Sequence, residues 1–216
     1  MSIYRAPTVA LMPDVTPSPL RSKANGVINF MGGLAAVIAY GLGGLLYKKD
    51  QAYPFYMASV VMMLALIVLY VFIQEPEQVE IEDIKEEEER AKAKDMAKNK
   101  SLILLLFAIF FWFTGFNVVE TFFSLYGQHI LGIDPSDSSL ILTTFSLTFL
   151  VFAIPAGFIG SKIGRKRTIL IGIVGILLMF IPLIFTENIL LITILLIAGG
   201  VFWACININA YPMVVE

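Results

Sequence analysis

The chain has 216 residues, of which 58% are hydrophobic and only 15% charged, and its formal net charge is −2. That is too apolar for a soluble domain of this length, whose surface would need far more polar cover, so the composition points to an integral membrane protein. The lone cysteine, Cys205, excludes an internal disulfide framework and a cysteine metal site.

Residues 1–23 are polar and carry Pro7, Pro13, Pro17 and Pro19; lacking an apolar core segment, they read as a loop and not as a signal peptide. Six later segments are long enough to cross a hydrocarbon core about 30 Å thick, which takes about 20 apolar residues. The first, 24–47, repeats small residues four apart: Asn29 with Gly33, Gly32 with Ala36, and Ala35 with Ala39 and Gly43. Such spacing lets helix backbones approach closely, so packing is its first expected role. Asn25 and Asn29 either line a cavity or bond to neighbouring helices. The second segment is 54–73. Between 75 and 100 the chain turns from acidic to basic, and Glu86 with Arg90 and Glu88 with Lys92 have the i,i+4 spacing of an exposed helix. This stretch reads as a solvated linker, with a regulatory partner site as the alternative.

The third membrane segment, 101–127, holds the clearest intramembrane acid, Glu120. At about 100° per residue, Thr114, Asn117, Glu120, Thr121, Ser124 and Gln128 share about a third of the helix circumference. Phe110, Phe111, Val119 and Phe122 cover much of the rest. A charge at membrane depth is costly and is tolerated mainly where it faces a cavity or partner. Glu120, Asn117, Thr121 and Ser124 are therefore expected to line a substrate or coupling pathway. The competing reading makes Glu120 structural or interfacial, since it lies about 10 Å from the predicted helix end.

The fourth and fifth segments, 138–160 and 168–185, contain Pro155 and Pro182, which are expected to bend them. The sixth, 189–211, repeats the small-residue theme at Gly199 and Gly200 and then presents Trp203, Asn207 and Asn209. Trp203 either stacks on a sugar ring or packs against a neighbour. Asn29, Trp203 and Asn207 join the pathway candidates.

Basic residues are retained on the cytoplasmic side of a membrane. Placing the first loop inside puts all but Lys48 and Lys49 of the 15 lysines and arginines on that side. Both termini are then cytoplasmic, the outer connections are short, and the expected location is the cytoplasmic (plasma) membrane. His129 is the only histidine, which excludes histidine-based triads and multi-histidine metal sites. No G-x-x-x-x-G-K-[ST] phosphate loop occurs in the chain. An enzyme, a cofactor, a bound metal and a nucleic-acid partner are not expected.

Between the fourth and fifth segments, Gly157, Lys162, Gly164, Arg165, Lys166 and Arg167 match a turn of the form G-x-x-x-D-[RK]-x-G-R-[RK]-[RK]. This resembles the cytoplasmic loop signature of the major facilitator superfamily, although Ser161 stands where the signature has aspartate. The glycines permit a tight turn, and the basic cluster suits anionic headgroups. Near the start, Arg5, Pro7, Ala10, Leu11 and Asp14, followed by Arg21, Ala24 and Asn25, resemble the segment joining helices four and five in sucrose-transporter-like members, related to glycoside-pentoside-hexuronide symporters. Pro212 and Val214 can be set against Pro7 and Val9, as two repeated six-helix halves would allow.

These resemblances imply an all-α polytopic membrane protein whose six transmembrane helices are helices five to ten of a twelve-helix fold. The chain would then be a fragment: 1–23 a cytoplasmic loop, 24–74 two helices of the first bundle, 75–100 the linker and 101–216 four helices of the second. They also imply a proton-coupled, alternatively sodium-coupled, sugar symporter working by alternating access. Arg5, Asp14, Arg21 and the basic loop from Gly157 to Arg167 would belong to its gate. Its partners would be the lipid bilayer, a sugar, the coupling ion and the missing helices of the same transporter. A non-transporting remnant, or half of a split transporter, is the alternative.

Overall fold

The computed structural model describes residues 21–72 and 100–215. It consists of six helices: α1 (Arg21–Tyr47), α2 (Tyr53–Phe72), α3 (Lys100–His129), α4 (Pro135–Ile163), α5 (Arg165–Leu183) and α6 (Ile189–Val215). All six are long and apolar enough to cross a membrane. The described chain is thus an all-α polytopic membrane protein. The proposed linker helix, Arg5 and Asp14 fall outside the described residues, as does the side chain of Arg21.

Helix α4 begins three residues before the predicted 138. Hydropathy misses this turn because it is written in capping residues. The Asp134 carboxylate accepts from the Ser136 amide at 2.9 Å and its hydroxyl at 2.6 Å, and Pro135 occupies the first helical turn. Proline loses nothing there, since that amide has no partner within the helix. At the other extreme, α5 stops one residue after Pro182, while α4 runs on through Pro155.

Helix α4 is the hub, packing on α1 along one side and α6 along another, with α5 behind α6. The α4–α6 contact is a backbone approach. A methyl on Gly200 would overlap the Phe145 carbonyl, and one on Gly160 would overlap the Asn209 amide. Asn209 is fully buried and donates to the Ala156 carbonyl at 3.2 Å and to the Cys205 carbonyl at 3.0 Å. Gly172 and Gly175 bring α5 onto Phe202 and Ile206 in the same way. Small residues are what allow such contact where lipid and side chains are equally apolar.

The α1–α4 seam is built on Gly33 against Phe149 and Leu150, Gly41 against Thr143, and Gly44 against Ser136 and Ser139. This differs in part from the expected rows: Gly32 meets nothing within 4 Å, and Gly43 faces Met57 of α2. Gly33 and Gly44 are eleven residues apart, about three turns, so they share one edge of α1. At the end of the seam, Lys48 Nζ pairs with Asp137 Oδ1 at 2.6 Å, both side chains about half exposed. Helix α2 buries no residue. Its apolar surface suits lipid on all sides, so hydropathy alone does not separate it from the buried α6.

Candidate functional site

A cavity of about 470 Å³ lies where α1, α3, α4 and α6 meet. Helix α1 contributes Asn29, Gly32, Gly33 and Ala36; α3 contributes Phe113, Phe116, Asn117 and Glu120. The far wall is Phe145, Ser146 and Phe149 of α4 with Trp203 and Asn207 of α6. The cavity therefore runs from mid-bundle at Glu120 toward the end that carries Lys162 and Arg165.

The aromatic wall is held by its own packing. Trp203 stacks on Phe116 with ring centroids 4.0 Å apart and planes at 13°, and Phe113 meets it edge-on at 5.6 Å. Phe116 also stacks on Phe145 at 5.4 Å. Trp203 is only 5% exposed. It therefore packs against its neighbours and presents what remains to the cavity. Offset and edge-on contacts of this kind fix ring positions beyond what burial alone does.

Glu120 is half-buried and accepts a hydrogen bond from the Tyr40 hydroxyl of α1. Ser139 of α4 donates in turn to the Tyr40 carbonyl at 2.9 Å. Around the Tyr40–Glu120 pair only about 20 Å³ remains open, walled by Phe116, Leu142, Phe145, Phe180 and Leu196. That is room for about one water. No lysine or arginine lines the cavity among the described residues. On the Lys48 side of Glu120 the bundle is thus filled, and on the other side it is hollow.

Five of the seven residues expected on a pathway, Asn29, Asn117, Glu120, Trp203 and Asn207, converge on this cavity. Thr121 does not: it lies in a separate groove along α3 with Phe110, Thr114, Val118 and Phe122, which Asn117 borders as well. One step of about 100° from Glu120 is enough to turn it away. Ser124 is half-buried and outside the lining. Thr114 and Asn117 return bonds to their own helix, to the Phe110 carbonyl at 2.8 Å and the Phe113 carbonyl at 2.7 Å. Tyr40 is the residue the sequence reasoning missed. The signal was available, because Tyr40 stands eleven residues after Asn29 and so on the same edge of α1.

The basic loop forms a turn at Gly164, whose φ of +94° favours glycine. Its amide donates to the Gly160 carbonyl at 3.1 Å, and its carbonyl accepts from the Thr168 amide at 3.1 Å and hydroxyl at 3.0 Å. Lys162, Lys166 and Arg167 are exposed and Arg165 is half-buried. Gly157 packs against Ile208 of α6. Ser161, in the place of the signature aspartate, donates to the Phe158 carbonyl of its own helix at 2.8 Å. At the opposite end, the Ser136 hydroxyl and amide hold the Asp134 carboxyl below the usual carboxylate range, with the Lys48 charge a lesser contributor.

The whole chain, residues 1–216, matches the family described as Major Facilitator Superfamily. It is 28% identical over 203 residues to multidrug resistance protein 2 of Bacillus subtilis (strain 168), covering 90% of this chain and 50% of that protein. It is 26% identical over 168 residues to the class H tetracycline resistance protein of Pasteurella multocida, covering 74% of this chain and 41% of the relative. Quinolone resistance protein NorA of Staphylococcus aureus (strain MRSA252) is 24% identical over 136 residues, 62% of this chain and 34% of the relative. The chain thus spans half or less of each of these relatives. They correct the resemblance to sucrose-transporter-like and glycoside-pentoside-hexuronide symporters: similarity along most of the chain runs to drug-resistance proteins instead. The motif that suggested sugar symport rests on a few residues, and so short a likeness does not fix a cargo. Expectations about a sugar lose their support with it. The chain, whose composition pointed to a membrane protein, belongs to the Major Facilitator Superfamily.

Proposed function

We propose that the chain works as part of a secondary active efflux transporter that carries flat, apolar, cationic solutes through the cavity around Glu120. The observation that carries this reading is the cavity wall itself: Phe113, Phe116, Phe145, Phe149 and Trp203 surround a single carboxylate, with no basic residue among them. Aromatic faces attract cations within about 6 Å of the ring centroid. A carboxylate at membrane depth supplies the matching charge. The names of the relatives, which refer to multidrug, quinolone and tetracycline resistance, support the same class.

The basic-residue count puts the Lys162 end, and with it the hollow side of the cavity, toward the cytoplasm. In that orientation a solute enters from inside while the Lys48 end is closed. Glu120 then holds either the cationic solute or a proton. Each neutralises the carboxylate, so the loading of one displaces the other and proton entry drives solute exit. The bundles rock about this midplane site to change the exposed side.

The test is efflux of a fluorescent aromatic cation from cells that express the protein, beside uptake of a labelled disaccharide. Glu120→Gln should slow dye efflux by about tenfold or more, as loss of a charged partner implies, with membrane insertion unchanged. Disaccharide uptake without dye efflux, or efflux indifferent to Glu120→Gln, would sink the proposal.

A further inference from the structure

Tyr40 ties α1 by polar bonds to two other helices at once. Its hydroxyl donates to Glu120 of α3, and its carbonyl accepts from the Ser139 hydroxyl of α4. Elsewhere along the seam, Gly33, Gly41 and Gly44 meet α4 by close contact, and the Lys48–Asp137 pair at the end is half exposed. An exposed pair of this kind stabilises by little. The tie at Tyr40 is therefore a polar hold on the middle of the α1–α4 seam.

The groups that face Glu120 from each packed element leave Tyr40 alone to respond to its charge. From α4 come Leu142, Phe145 and Ser146, from α5 Phe180, and from α6 Leu196 and, across the cavity, Trp203 and Asn207. None of these titrates, so among the described residues Tyr40 is the one titratable side chain against the carboxylate. A hydrogen bond to an ionised carboxylate is about twice as strong as one between neutral groups. Neutralising Glu120 must then weaken the hold of α3 on α1.

We infer that Tyr40 is a positioning residue which links the charge on Glu120 to closure of the α1–α4 seam at the Lys48 end. With Glu120 ionised, the tie holds the seam shut beneath the filled half of the bundle. When a proton or a cationic solute occupies the carboxylate, the tie loosens and that end is free to part. The inference rests on Glu120 being the loading site proposed above, and it adds the element that senses the loading.

The test is a spin-label distance measurement on the protein in lipid bilayers. Labels are placed at Lys49→Cys and His129→Cys, both exposed positions at the Lys48 end, in a Cys205→Ala background. With Tyr40 and Glu120 intact, the ratio of short to long distances should fall roughly fivefold on acidification, the difference between a charge-assisted and a neutral bond. Tyr40→Phe, which keeps the ring, should show the long-distance bias at both pH values. Glu120→Gln should give one intermediate ratio that ignores pH. A Tyr40→Phe protein with the unaltered ratio and the unaltered pH response would overturn the inference. The distances are read without any transport, so a pH-responsive seam in a protein that exports no dye would uphold the latch and remove the efflux reading. Dye efflux with a seam insensitive to Tyr40→Phe would do the reverse.

Discussion

Helix α4 has two interfaces of different construction. Toward α6 the backbones interlock: Gly200 sits on the Phe145 carbonyl, Gly160 on Asn209, and Asn209 is fully buried with its amide bonded across to Ala156. Toward α1 the contacts are looser, with Gly33, Gly41 and Gly44 leaving 3.0 Å, 3.4 Å and 3.1 Å for an added methyl. The first interface cannot slide without breaking packing and a buried hydrogen bond. The second can part at the expense of ordinary contacts, the half-exposed Lys48–Asp137 pair and the Ser139–Tyr40 bond. The rocking of bundles proposed above would use both kinds, one to keep each bundle rigid and one to let the bundles separate.

The contrast can be broken most forcefully at Gly200. Gly200→Val would overlap backbone and should destabilise the protein by about 3 kcal/mol, read as a lower melting midpoint in detergent. Gly41→Ala on the looser side should lie between neutral and about 1 kcal/mol stabilising, because it removes a helix glycine where space exists. Equal effects from the two would erase the distinction. Gly164→Ala comes next, at about 1–3 kcal/mol for a side chain forced to positive φ, and should loosen the α4–α5 turn without altering the seam. Lys48→Ala should change stability by less than about 1 kcal/mol, an effect that salt should abolish. A large, salt-independent loss would mean that the seam is held at its end and not at Tyr40.

The smallest effect is expected at Asp134. Its carboxyl is held below the usual range, so the folded state prefers it ionised. That contribution is complete above the ordinary value near about pH 4 and is lost as pH falls through the lowered one. Asp134→Ala should therefore remove part of the acid sensitivity of melting between about pH 5 and about pH 2. A variant as acid-sensitive as the parent would show that the cap contributes nothing there.

What the sequence made legible follows from contrast. In helices this apolar, Glu120, Asn29, Asn117 and Asn207 stand out, and four membrane-deep polar residues on three helices have few places to go except a shared cavity. Tyr40 did not stand out, because tyrosine is read as apolar and its hydroxyl matters only once α3 is beside it. Thr121 and Ser124 were drawn in by a face a third of the circumference wide, whereas the cavity admits a narrower strip of α3. The glycine rows of α1 were visible as spacing, yet which row meets α4 depends on the partner helix and not on α1 itself. The cargo was least legible, since a likeness of a few residues does not specify a substrate.

The most direct measurement is binding of an aromatic cation to the protein, followed by quenching of Trp203 fluorescence in a Trp112→Phe background. If the cavity holds the solute against Glu120, quenching should saturate and Glu120→Gln should raise the Kd by about tenfold or more. Quenching that is absent, or a Kd that Glu120→Gln leaves unchanged, would contradict the account.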